Sequence, residues 1–362
     1  MRKYYIDNLR ILCILMLFPY HASMIYNNWG YRWYLHGEDC FFPFLLGVGV
    51  YPWWMSLLFV MAGMSTVYAL KRRTIGAYAK ERIHKLLIPL LSGLLLIVPV
   101  QTYIADIFYN GYQGNYFEHY RKFFVLTTWE GNDGHFTPGH LWFILYLFLV
   151  SMIALPFISW YQKRKKKIDT SKVTVAKMIP LFLLITAASF ILNIGGKSMG
   201  EYTCCFLLGY FLLSEDAVQE KLKEHWKGLL LSAVILMLLR FAIQGYEATI
   251  VAATSSGVYW VLDGLTYYSY EWIGILAVLA LGNIFLNRKT KFTEYFSPAA
   301  FPLYYFHQSV MVVVGYFVLK HCSNIPVQYV LIIVITFAIS VLLYEICSRI
   351  GATRFLFGIK KK

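Results

Sequence analysis

Residues 327–347 read VQYVLIIVITFAISVLLYEIC, twenty-one positions with a single charged side chain, Glu345. About 20 mostly apolar residues are needed for a helix to cross roughly 30 Å of hydrocarbon. No water pairs with exposed backbone there, so such a stretch must satisfy its own N–H and C=O groups as a helix. Working back along the chain, nine more stretches read the same way: 8–28, 51–70, 86–105, 138–160, 177–195, 201–214, 228–246, 258–285 and 299–319. The expectation is an all-α, polytopic integral membrane protein of about ten transmembrane helices, forming one domain over residues 1–362. Composition agrees, with 59% hydrophobic and 14% charged residues, against about 25% charged in a soluble domain. Met1-Arg2-Lys3 resembles the start of a signal peptide, but the apolar run behind it continues to about Asn28 without a small-x-small cleavage site, so it reads as a retained first span.

The net charge of +14 would suit a nucleic-acid binder, but its distribution excludes that class. Basic clusters recur at alternate gaps: Arg2 and Lys3, Lys71 to Lys85, Lys163 to Lys167, Lys221 to Lys227, Arg288 to Lys291, and the tail from Arg349 to Lys362. The intervening gaps hold only Arg32, Arg121, Lys122, Lys197 and Lys320. Lys and Arg concentrate on the cytoplasmic side, which puts both termini inside a plasma or inner membrane and makes lipid the first partner. The six cysteines show no metal-binding spacing, so no metal is expected; Cys40 and Cys322 fall in outer loops, where a disulfide between them is open. Two outer segments, 29–50 and 106–137, mix aromatics (Trp29, Tyr31, Trp33, Tyr34; Tyr109, Tyr112, Tyr116, Tyr120, Trp129) with Asp39, Asp106, Glu130 and Asp133. They read either as an interfacial aromatic belt or as a platform for sugar rings.

Ionisable residues inside spans usually face a cavity or a partner. Arg10 and His21 in the first span are eleven positions apart. On an uninterrupted helix that offset is about 1100°, roughly 20° past three turns, so both side chains share a face about 16 Å apart along the axis. A guanidinium at the inner mouth can grip phosphate through two parallel hydrogen bonds. An imidazole deeper in can take a proton from an attacking hydroxyl. The extended pantetheine arm of an acyl-coenzyme A has a comparable reach. Asp7, one turn before Arg10, is placed to orient it. The bland alternative is a snorkelling arginine and a structural histidine.

Five passages resemble the membrane-bound acyltransferase-3 family. They are Ile6-Asp7-Asn8-Leu9-Arg10 with His21, Arg82-Ile83-His84-Lys85 leading to Pro89, and His140-Leu141-Trp142-Phe143-Ile144. The others are Phe301 to Gln308, which holds Tyr304-Tyr305-Phe306-His307-Gln308, and the ending Thr353 to Lys360. Lys85 stands where the family more commonly has a second arginine. The resemblance implies transfer of an acyl group, acetyl or another short one, from cytosolic acyl-CoA to a hydroxyl of an extracytoplasmic glycan or similar acceptor. It also suggests glycan-assembly proteins as partners.

On that reading His21 is the general base and Arg10 its donor-binding companion. Arg82, Lys85 and Arg73 assist with the coenzyme's phosphates, and His307 lines the donor cavity. His140 and Trp142 are assigned to the acceptor. Arg240 and Asp263, each within a span, either pair with one another or hold acceptor. Glu271 has no assigned role, and Glu345 is expected beside a basic group. The competing class is a transporter or flippase whose intramembrane charges line a path without covalent chemistry.

Overall fold

The computed structural model describes residues 3–30, 32–127, 129–164 and 169–360. Met1, Arg2, Tyr31, Thr128, Lys165, Lys166, Lys167, Ile168, Lys361 and Lys362 lie outside the described residues. In chain order the helices are α1 (Tyr4–Leu15), α2 (Leu17–Met24), α3 (Phe42–Gly49), α4 (Tyr51–Leu70), α5 (Ile75–Arg82), α6 (Ile88–Leu96), α7 (Val98–Asn110), α8 (Tyr116–Phe123), α9 (Trp142–Lys163) and α10 (Val175–Met178). They continue as α11 (Phe182–Ser189), α12 (Met199–Leu208), α13 (Asp216–Glu224), α14 (Trp226–Gly245), α15 (Glu247–Ala253), α16 (Ser256–Phe285), α17 (Lys291–His321), α18 (Ile325–Arg349) and α19 (Gly351–Leu356). The sole extended pairing among the described residues is a hairpin, β1 (Asn193–Ile194) with β2 (Lys197–Ser198).

Among the described residues seven helical stretches are long and apolar enough to cross a membrane: Tyr51–Leu70, Ile75–Asn110, Gly139–Lys163, Trp226–Gly245, Ser256–Phe285, Lys291–His321 and Ile325–Arg349. The other three expected spans are present as shorter or interrupted apolar helices. Val175–Ser189 and Met199–Leu213 are the short ones, and α1 with α2 covers the first.

Proline explains the interruptions. A helical proline removes the hydrogen bond to the carbonyl four residues back and crowds it. Pro19 acts in this way on Leu15, where α1 ends, and α2 resumes at Leu17. The first span is therefore not the uninterrupted rod that the Arg10–His21 spacing assumed. Pro89 acts on Lys85, and residues Ile83–Leu87 widen into a π-turn in which Ile88 N–H bonds to Ile83 C=O. Pro99 frees the carbonyl of Leu95, which the Tyr120 hydroxyl picks up at 3.1 Å.

The chain forms two compact units, each built from three separate segments. The first comprises Met1–Arg10, Leu45–Ala79 and Leu149–Lys289. Within it α4 meets α12 with almost no side chain between them. A Cβ added at Gly63 would overlap the Phe206 carbonyl, and one at Gly209 would overlap the Val60 carbonyl. Small residues at such a crossing let two backbones touch. Asn8 Nδ2 donates to Leu286 C=O at 2.6 Å and to Arg288 C=O at 3.0 Å, tying α1 to the end of α16.

The second unit comprises Ile11–Phe44, Lys80–Phe148 and Thr290–Lys362. α17 packs along α18, α7 and α2. Tyr26 donates to Gln328 Oε1 at 3.1 Å and Tyr329 to Pro19 C=O at 2.9 Å. Glu345, expected beside a basic group, accepts a hydrogen bond from Tyr295 at 2.9 Å. Cys40 and Cys322 are both free thiols.

Candidate functional site

The second unit gathers three histidines that lie far apart in sequence. His307 is fully buried on α17. Its Nε2 lies 2.9 Å from His21 Nδ1 of α2, and its Nδ1 lies 2.6 Å from the Tyr304 carbonyl one turn earlier. The His21 and His307 rings stack at 5.0 Å with 24° between their planes. His140 stands edge-on to His307, with ring centroids 5.1 Å apart at 81°. Its Nε2 hydrogen-bonds the Tyr305 carbonyl at 2.9 Å, and its own carbonyl accepts from the Tyr304 hydroxyl.

Local sequence places each ring. Pro138 and Gly139 start the short 3-10 turn Gly139–Leu141 that swings His140 inward; Gly139 has φ +52, which disfavours a side chain. Gly93 on α6 leaves the space that Leu141 and the Tyr305 ring occupy. Ser92 then bonds the Tyr305 hydroxyl at 3.0 Å, and Gln101 accepts from Gln308 at 3.2 Å. Ser309 donates to Ile97 C=O at 2.9 Å. These contacts hold α17 against α6 and α7 on both sides of His307.

Two aromatic residues complete the setting. Phe18 lies 5.7 Å from the His307 ring. Trp33 stacks on His21 at 6.1 Å with only 10° between planes and is 5% exposed. Trp33 is thus buried against the candidate base, not displayed in a surface belt, whereas Trp29 and Trp129 of the same two outer segments are exposed. Trp142 makes edge contacts with Phe143 and Tyr146. In the sequence Trp33 stands out only as one of the outer aromatics, and Tyr304 only as the first residue of the Tyr304–Gln308 passage, with no role marked for either. The signal for Tyr304 was its position three before His307, where a helix carbonyl comes within reach of an imidazole.

Arg82 and Lys85 belong to this unit and flank the start of the π-turn, with Lys85 in an ion pair with Glu81 one turn away. Such turns are frequent at functional positions.

Arg10 belongs to the first unit. Its Nη1 lies 3.1 Å from Asp7 Oδ1, and its Nη2 donates to Ser65 Oγ at 3.2 Å. Asp7 contacts it as the spacing predicted, and the two guanidinium ends face different partners, which fixes the plane of the fork. Arg73 is exposed in the turn after α4. Arg240 is buried at 2% exposure and pairs with Asp263, 3.3 Å away, with its guanidinium 4.9 Å above the Tyr267 ring. Gln244 donates to the same Asp263 oxygen at 3.3 Å. Glu271 is fully buried, with Cys205 Sγ 3.7 Å from Oε1, and Ser56 nearby donates to Glu201 at 3.5 Å. Among the described residues no cluster of His, Cys, Asp or Glu is arranged to hold a metal ion.

Chemically, an imidazole held by a second imidazole and flanked by aromatic faces can accept a proton. An arginine braced by a carboxylate and a hydroxyl can bind an anion. Comparison with known proteins gives these parts a context. Glucans biosynthesis protein C of Salmonella heidelberg (strain SL476) is 24% identical over 386 aligned positions, covering 99% of this chain and 95% of the relative. The protein of that name from Salmonella typhi aligns with the same identity and coverage. The one from Salmonella schwarzengrund (strain CVM19633) is 23% identical with the same coverage. No solved structure matches the chain. The sequence profile of the family described as "Acyltransferase domain" matches residues 3–345, and the chain therefore belongs to the acyltransferase-3 family of membrane acyltransferases.

Proposed function

We propose that the protein moves an acyl group, acetyl or another short acyl, from cytosolic acyl-CoA to a hydroxyl of an extracytoplasmic glycan, and that it works as a multi-pass protein of the cell membrane. The observation that carries this reading is the His21 imidazole held 2.9 Å from a buried second histidine within an acyltransferase-3 chain. The name of the Salmonella relatives makes a glucan the first acceptor to test. Arg10, braced by Asp7 and Ser65, grips phosphate of the donor as a planar fork. Arg82, Lys85 and Arg73 add charge for the remaining phosphates. His140 and Trp142 are assigned to the acceptor, whereas Arg240 and Asp263 satisfy one another; glycan-assembly proteins would be the partners.

In the transfer step His21 removes the acceptor hydroxyl's proton as the oxygen attacks the thioester carbon. The carbon–sulfur bond then breaks, and the departing thiolate takes the proton back from His21. No proton is gained or lost overall, and the products are the ester and free coenzyme A.

Mass spectrometry of surface glycans tests this. Deletion cells complemented with the wild-type gene should carry the acyl mass increment, and cells complemented with His21→Ala should lack it at equal membrane abundance. An increment that survives His21→Ala defeats the mechanism, and an unmodified polymer missing from the surface would mean transport instead.

A further inference from the structure

We propose that His307 is a positioning residue that decides which nitrogen of His21 acts as the base, through a chain running Tyr304 carbonyl, His307, His21. This rests on the reading of His21 as the base and adds the atom that reacts. The Tyr304 carbonyl can only accept, so the 2.6 Å contact requires the hydrogen of His307 to sit on Nδ1. The rings around His307 are Phe18, Tyr304, His21 and His140, and among the described residues no carboxylate pairs with it. An imidazolium fully buried among these would lack a counter-ion and be costly, so His307 is neutral and its Nε2 carries a lone pair.

That lone pair needs a donor. His140 cannot supply it. The hydrogen that His140 gives to the Tyr305 carbonyl sits on Nε2, which leaves its buried Nδ1 bare and without a hydrogen-bond partner. His21 Nδ1, 2.9 Å away, is therefore the donor. A neutral imidazole has one N–H, so placing it on Nδ1 leaves the lone pair of His21 on Nε2. His21 Nε2 is the atom that accepts the hydroxyl proton. The positive charge that then forms on His21 is held by the Nδ1–H bond to His307, a charge-assisted contact stronger than the neutral one. The proton passes from acceptor oxygen to His21 Nε2 and from there to the thiolate, so nothing is left over on His307.

The test combines kinetics with spectroscopy on the full-length protein in detergent. His307→Phe keeps a ring but removes the acceptor; kcat should fall about 100-fold, the scale of a positioned general base. KM for acyl-CoA should stay within about twofold, because His307 is fully buried and both its nitrogens are taken by Tyr304 and His21, not by the donor as the sequence reading had it. His307→Gln puts an amide oxygen near the former Nε2 and should recover kcat to within about tenfold of wild type. In wild-type protein carrying ¹⁵N-histidine, His21 Nδ1, assigned by the signal lost in His21→Ala, should give the protonated-nitrogen resonance and Nε2 the unprotonated one.

An unchanged kcat in His307→Phe, or an Nε2–H tautomer of His21 in the wild type, overturns the proposal. If His307→Phe fails to fold, the wild-type spectrum decides. Loss of transfer in His21→Ala combined with full activity in His307→Phe refutes only the positioning role, whereas activity in His21→Ala refutes the base itself.

Discussion

A Cβ at Gly63 and a Cβ at Gly264 should change stability in opposite directions. Both glycines lie inside long helices, and Gly→Ala in a helix interior is worth about 1 kcal/mol of stabilisation from propensity alone. At Gly264 on α16 an added Cβ meets nothing within 4 Å, so that gain should stand. At Gly63 the Cβ would overlap the Phe206 carbonyl oxygen and sit 2.9 Å from the carbonyl carbon and 3.0 Å from Tyr210 N. Those atoms are backbone, of α12 and of the π-turn Gly209–Leu213 that continues it, and cannot rotate aside as a side chain can. Overpacking costs about 1–3 kcal/mol, and a backbone obstacle puts the cost near the upper end. Subtracting the propensity gain leaves a loss of about 2 kcal/mol.

Gly209 faces the Val60 carbonyl across the same crossing, so the two sites must couple. Once Gly63→Ala has pushed the helices apart, Gly209→Ala should cost less than it does alone. Equilibrium unfolding of the single and double variants in mixed micelles measures all of these. A Gly63→Ala protein as stable as Gly264→Ala, or strictly additive losses in the double variant, would refute the reasoning.

Two further outcomes follow from particular contacts. Arg10→Lys keeps the charge but cannot reach Asp7 and Ser65 with two ends of a rigid fork, so acyl-CoA KM in membrane vesicles should rise about tenfold, the worth of one hydrogen bond to a charged group. An unchanged KM would remove Arg10 from donor binding. His119 on α8 is buried beside Asp106; burial lowers its pKa below 6.5, while Asp106 pulls the other way and Lys122 adds to the lowering. A histidine with a depressed folded pKa is fully accommodated above the unfolded value of 6.5 and costs stability as pH falls below it. Amide protection in residues 116–127, measured against intrinsic exchange rates at each pH, should therefore fall as pH drops below about 6.5, and His119→Asn should flatten that dependence.

The spans were legible because hydrocarbon imposes a one-dimensional rule. Each crossing needs its own run of apolar residues, and the charges must collect at the ends. The 51–70 reading coincides with α4, and the 258–285 reading starts two residues inside α16. What the sequence left open was the local course of the helix where proline acts on a carbonyl four residues back. Pro19, Pro89 and Pro99 were visible, but whether each would end a helix, widen it or be tolerated depends on which group takes over the freed carbonyl, as Tyr120 does for Leu95. The outer aromatics could not be told apart from the sequence either. Trp29 and Trp33 look alike in sequence, yet one is exposed and the other is buried on His21.

By itself, the order of residues along the chain determined the membrane architecture, the family and the identity of Arg10, His21, His140 and His307 as residues to watch. Those properties depend on local composition and on motifs read one segment at a time. Only the tertiary structure decided that His21, His140 and His307 meet, although 286 positions separate the first from the last. Only it shows that the carbonyls of Tyr304 and Tyr305 claim the N–H groups of His307 and His140. Which nitrogen of an imidazole carries the proton is set by hydrogen-bond partners in space, and partners brought together by helix packing have no fixed spacing along the chain.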